Sequence, residues 1–134
     1  MRARDVMVAE PRSLSAAATA QEAGVLLARP EVRAIFVCEG ERLVGVVTRK
    51  TLVREVVAPG LVPGETRLAD IAEVPHWTID GDVPVDDAFH FLEEHDAERV
   101  PVVEAGRLVG VLSRSVLQRR LAEDEPDAAI AAEQ

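Results

Sequence analysis

Apolar and polar residues in this chain alternate with period two, then three to four, then two again, and the whole order occurs twice. Pro11-Arg-Ser-Leu-Ser15 predicts a short edge strand, with proline at the first position, where no ladder donor is lost. Thr19 predicts a helix cap with Glu22 as its capping-box partner, and Ala23, Leu26 and Leu27 follow at helical spacing until Pro30. Residues 33–38 form a β-rich run, Glu39-Gly-Glu41 a turn, and residues 42–48 a Val-rich alternating run, which together predict a hairpin. Thr48 then caps a helix over about residues 49–57.

A second set follows. Asp5-Val-Met7 and residues 68–72 predict short helical lead-in turns. His76-Trp-Thr-Ile79 predicts the second edge strand, and Gly81-Asp82 a turn. Val85, Ala88, Phe89 and Leu92 form a helical stripe. Residues 99–103 and 107–113 predict a hairpin, and Ser113 caps a last helix ending near Ala122.

The repetition extends to the residues themselves. Arg42-Leu-Val-Gly-Val-Val-Thr-Arg49 recurs as Arg107-Leu-Val-Gly-Val-Leu-Ser-Arg114, offset by 65. The same offset pairs Asp5 with Asp70, Ala23 with Ala88, Leu27 with Leu92 and Val37 with Val102. Such self-similarity marks a duplicated supersecondary unit. The predicted division is repeat 1 at 1–58, a Pro/Gly-rich linker at 59–67, repeat 2 at 68–122 and an acidic, disordered tail at 123–134. A three-stranded sheet with helices on one face leaves its other face apolar, so two copies are expected to pack sheet to sheet with pseudo-twofold symmetry in an α/β (α+β) fold.

Composition narrows the classes. No apolar run approaches the ~20 residues of a membrane span, and no charged segment followed by an apolar one opens the chain. The single cysteine, Cys38, lies in an apolar run, as suits a buried thiol in a reducing compartment. The expectation is a complete, short cytoplasmic protein. Net charge is −9, and the tail is its most acidic part, which disfavours a nucleic-acid backbone as partner.

Two β-α-β-β-α units with Gly45-Val-Val-Thr-Arg-Lys-Thr-Leu52 and Gly110-Val-Leu-Ser-Arg-Ser-Val-Leu117 at the strand-to-helix junctions resemble the CBS domain pair, or Bateman module. Arg99-Val-Pro-Val-Val-Glu104 is similar to that family's second strand. The resemblance covers roughly residues 2–121. It implies a non-enzymatic regulatory module, commonly a homodimer, that binds an adenosine-containing ligand (AMP, ADP, ATP, S-adenosylmethionine or a dinucleotide) in clefts between the repeats and signals to a partner protein.

The family's ribose signature runs Gly-hydrophobic-X-Thr/Ser-X-X-Asp. Thr48 and Ser113 match its hydroxyl. Thr51 and Val116 stand where the carboxylate belongs. Arg49, Lys50 and Arg114 place positive charge at helix starts, where it opposes the helix dipole and an anion would relieve it. Arg99 matches a position where some members hold phosphate; repeat 1 has Ala34 there, with Arg33 one place earlier. Ser13 and Thr78 on the edge strands complete the candidate ligand-binding set. Solvated or surface-paired arginines are the competing reading.

Other groups carry less. His76, His90 and His95 lack metal-ligand spacing, and no metal is expected. Trp77 either stacks on a base or packs against protein. Cys38 has no histidine nearby in sequence to activate it. No phosphate loop and no Ser/His/Asp order stands out. The alternative function is a degenerate, ligand-free pair that serves as a homodimerisation module, motivated by the two missing aspartates.

Overall fold

The computed structural model describes residues 1–9 and 11–123. The acidic stretch after Glu123 therefore lies outside the described residues. The chain forms two compact units. The first comprises residues 11–76 and 105–108; the second comprises 1–9, 77–104 and 109–123 of the described chain.

In the first unit, strand β2 (Ser13–Ser15) runs parallel to β3 (Ile35–Glu39), which pairs antiparallel with β4 (Arg42–Val47). Gly40, at φ +62°, makes the tight turn between β3 and β4. Helix α2 (Ala20–Leu27) begins with the predicted box: Thr19 N–H donates to Glu22 Oε2 at 2.8 Å, and Glu22 N–H donates to Thr19 Oγ1 at 3.2 Å. Helix α3 (Arg49–Leu52) continues as a π-helical turn over Val53–Val57. Ala20, Ala23 and Leu27 of α2 pack with Val32, Ile35, Val37, Val47 and Val56 into one core.

The second unit is built alike. Strand β5 (Ile79–Asp80) runs parallel to β6 (Arg99–Glu104), and β6 neighbours β7 (Arg107–Ser113). Helices α5 (Val85–Glu94) and α6 (Arg114–Glu123) contribute Val85, Ala88, Leu92 and Leu117 to a core with Val100, Val102 and Leu112. The edge strand is shorter than the β-propensity of His76-Trp-Thr-Ile79 implied: Trp77 and Thr78 are exposed and precede it.

Each unit borrows the lead-in of the other repeat. Helix α1 (Ala3–Val6) buries Ala3 and Val6 in the second unit's core, and helix α4 (Leu68–Ile71) buries Leu68 and Ile71 in the first unit's core. The two dockings match bond for bond at the offset of 65. Ala3 N–H donates to Val83 O, Arg4 N–H to Gly81 O and Val85 N–H to Met1 O; Leu68 N–H donates to Ala18 O, Ala69 N–H to Ala16 O and Ala20 N–H to Thr66 O. Strand β1 (Val8–Ala9) then adds antiparallel to β7, and Val46 and Glu73 exchange both backbone bonds, at 2.8 and 2.9 Å.

Two strand glycines admit these crossings. A Cβ on Gly45 would meet Ala72, and one on Gly110 would meet Met7 and the Val8 carbonyl. The motif glycines are thus sites of close backbone approach. One docking carries an ion pair the other lacks: the Arg4 guanidinium lies 2.6 Å from Asp82 and 2.9 Å from Glu104. Hydrogen bonds to Glu104 and then Asp82 push its pKa further up. At the matched positions of the first unit stand Ala69, Ala17 and Glu39.

Candidate functional site

Strand register brings the candidate residues to one end of each unit's sheet. In the first unit Ser13 pairs with Phe36 and Phe36 with Val46, while Ile35 pairs with Val47. The start of β2, the start of β3 and the end of β4 therefore share an edge, which carries Ser13, Arg33 and Thr48. In the second unit β5 and β6 run parallel, and Thr78 and Arg99 stand at their starts. Ser13, Arg33, Thr78 and Arg99 are all exposed.

The Thr48 junction is a reciprocal cap. Thr48 has extended backbone, and its Oγ1 accepts from Thr51 N–H at 3.3 Å. Thr48 N–H donates to Thr51 Oγ1 at 3.0 Å, and the two hydroxyls lie 3.1 Å apart. Threonine here fills the role that Glu or Gln plays in the usual capping box. Thr51 is wholly buried, so its hydroxyl serves the cap. Arg49 Nη2 donates to Arg29 O at 2.7 Å, just beyond the C-terminus of α2, where a cation is favourable. Lys50 beside it is exposed.

The Ser113 junction has different company. Ser113 Oγ lies 3.0 Å from Ser115 Oγ and 3.5 Å from Glu98 Oε1, the latter at the limit of a hydrogen bond. Arg114 N–H donates to Glu98 O at 2.8 Å. The Arg114 guanidinium pairs with Asp96 Oδ1 at 3.2 Å and Glu98 Oε2 at 3.6 Å. Asp96 reaches it because α5 ends with Asp96 at φ +49°, a left-handed closing position that Asp tolerates better than most side chains. Val116 is half-buried.

Sequence reasoning missed Asp96 and Glu98. The offset held the signal: Glu98 occupies in repeat 2 the place of Arg33 in repeat 1. Elsewhere, Trp77 stacks on His95 at 4.7 Å between ring centroids, with Phe91 edge-on to both. Burial pushes the Cys38 thiol pKa up, away from nucleophilic reactivity. Among the described residues no three His, Cys, Asp or Glu side chains gather as a metal site, and no helix is long and apolar enough to cross a membrane.

Two β-α-β-β-α repeats, each with a Gly-hydrophobic-X-Thr/Ser strand-to-helix junction, of which the Thr48 one is capped, define a tandem-repeat module, and the CBS domain profile matches residues 3–58 and 66–123. The chain belongs to the CBS domain family and carries two copies. Hypoxic response protein 1 of Mycobacterium tuberculosis is 28% identical over 122 residues, 90% of this chain and 85% of that protein. The crystal structure of Hypoxic Response Protein I with two coordinated zinc ions is similar at TM-score 0.75 and 27% identity, over 89% of this chain and 98% of that one. A CBS domain protein from Pyrobaculum aerophilum complexed with AMP is similar at TM-score 0.71 and 28% identity, over 92% of this chain and 99% of that one.

Proposed function

We propose that this chain is a regulatory module that binds an adenosine-containing nucleotide (AMP, ADP, ATP or a relative) at its strand-to-helix junctions and signals to a partner protein. The observation that carries the reading is the Thr48 cap, in a chain whose AMP-complexed relative from Pyrobaculum aerophilum is 28% identical over 92% of its length. A hydroxyl at a helix start can also bond a ribose or phosphate oxygen. Arg33, Arg49 and Lys50 supply cations at the Thr48 junction; at the Ser113 junction Arg99 does so while Arg114 is paired with Asp96 and Glu98, and Ser13 and Thr78 flank. Thr51 acts by holding Thr48 in place.

Ribose recognition is weak by this account. A hydrogen bond to a charged group contributes about 1.5–3 kcal/mol, so the missing aspartates lower affinity roughly ten- to a hundredfold. Ligand binding shifts the population between arrangements of the chain, and the partner reads that shift. Thermal unfolding with AMP, ADP, ATP, S-adenosylmethionine, NADH and inorganic phosphate tests the reading. A ligand at about a hundred times its Kd adds about 2.7 kcal/mol of stability. A raised midpoint with an adenine ligand supports binding. No change with any of them at millimolar concentration removes it.

A second reading has its own support. Val25, Val53, Val57, Leu61 and Val62 are large apolar residues exposed in the first unit. They suit a homodimerisation surface, with or without a ligand. A monomer in light scattering would count against it.

A further inference from the structure

The two junctions are equivalent by the offset of 65 and opposite in charge. Repeat 1 carries Arg29, Arg33, Arg49 and Lys50 around Thr48 in sequence, with Glu31 as the one acid among the matched positions. Those positions in repeat 2 hold Glu94, Glu98, Arg114 and Ser115, with Asp96 in place of Glu31, and Arg99 adds a cation.

We propose that Glu98 denies the Ser113 junction to phosphate-bearing ligands while offering its carboxylate to an uncharged nucleoside, so that one chain tells the two apart. The inference rests on the nucleotide reading above and names the residue that sets its specificity.

Glu98 is tied beside the junction through its carbonyl, which accepts Arg114 N–H at 2.8 Å. Its carboxylate oxygens lie 3.5 Å from Ser113 Oγ and 3.6 Å from Arg114 Nε, and Asp96 takes Arg114 Nη1 at 3.2 Å. The hydroxyl and the guanidinium that a phosphate needs are those that two carboxylates already face. A phosphate must displace them or lie against them, and like charges a few ångströms apart repel. An adenosine ribose meets no such repulsion, and its hydroxyls can donate to Glu98, a carboxylate that Val116 does not supply. Discrimination then comes from a repulsive element as well as an attractive one. The matched Arg33 reverses both effects at the Thr48 junction.

Calorimetric titration of the full chain with AMP and with adenosine tests this. The wild type is expected to bind one AMP per chain. Glu98→Arg is expected to admit a second AMP, tightened at least tenfold at the Ser113 junction, and to weaken adenosine there by threefold or more. Glu98→Gln, nearly isosteric, is expected to fall between and guards against misfolding of the arginine variant. Two AMP molecules of equal affinity in the wild type, or a single AMP in Glu98→Arg, overturn the inference and leave the nucleotide reading standing. Absence of AMP binding in the wild type and both variants overturns the nucleotide reading, and this inference with it.

Discussion

Gly45 faces Ala72 at a distance that admits no side chain: a Cβ on Gly45 would lie 2.6 Å from the Ala72 Cβ and 3.2 Å from the Glu73 carbonyl oxygen. Neither neighbour can swing aside, because Val46 and Glu73 hold the two backbones together through a reciprocal pair of hydrogen bonds. Gly45→Ala is therefore expected to destabilise by about 1–3 kcal/mol, the usual range for overpacking. Gly110→Ala meets the Met7 side chain, which can move, and the Val8 backbone carbonyl at 2.9 Å, which cannot do so freely, so a loss in the same range is expected. Urea unfolding of the two variants compares them; equal stability to wild type would contradict the close approach.

Leu68 belongs to the sequence of repeat 2 and is wholly buried in the core of repeat 1. Leu68→Ala is expected to cost about 2–5 kcal/mol. Hydrogen exchange separates the two origins of that loss. Amides of β3 and α2 are expected to lose protection before those of β6 and α5. The reverse order would show that α4 stabilises its own repeat.

Thr51 is buried with its hydroxyl accepting the Thr48 N–H. Thr51→Val keeps the volume and orphans that donor, so a loss of about 1–2 kcal/mol is expected. Thr48→Ala removes the cap acceptor and is expected to lose about 1 kcal/mol. If Thr48 also contacts nucleotide, its variant loses the AMP-dependent rise in melting midpoint beyond this structural cost. An unchanged rise would place the ligand elsewhere.

Val116 occupies the third position of α6, where an acid is favoured by the helix dipole. Val116→Asp is expected to raise adenosine affinity roughly tenfold, the low end of what one charge-assisted bond contributes. Titration with adenosine checks it, and an unchanged Kd would mean that ribose does not sit at this junction.

Burial raises the Cys38 thiol pKa. The sign for stability follows: the contribution is complete below the unfolded thiol pKa, about 8.5, and is lost as pH climbs through the raised folded value. Cys38→Ala is expected to flatten that alkaline decline. Native Cys38 is expected to resist a thiol reagent at pH 8 and to react promptly in urea; rapid native labelling would contradict its burial.

Much of the architecture was legible because its causes are local. The Thr19–Glu22 cap needs residues three apart, the hairpin at Gly40 needs its turn, and the helical stripe of Val85, Ala88 and Leu92 needs only a period. The offset of 65 announced the duplication before any contact was known. The candidate site was legible only in part. Thr48 stood out through its motif, whereas Glu98 acts on Ser113 across a separation of 15 residues, beyond any local pattern. Trp77 and Thr78 have β propensity yet lie outside β5, since propensity records fit to a pleated surface and not the presence of a partner strand.

By itself, then, the sequence determined most of the elements, their order, the twofold repetition and the absence of aspartate at both junctions. Tertiary structure alone decided where the lead-in turns dock, why the motif glycines must be glycine, that Thr51 faces its own cap, and which carboxylates attend Arg114. The physical reason is range. Hydrogen bonds within a helix or a hairpin are encoded by residues a few positions apart, but a four-residue amphipathic turn such as α1 or α4 carries the same apolar face whichever core receives it. Only the surfaces presented by distant segments select between them.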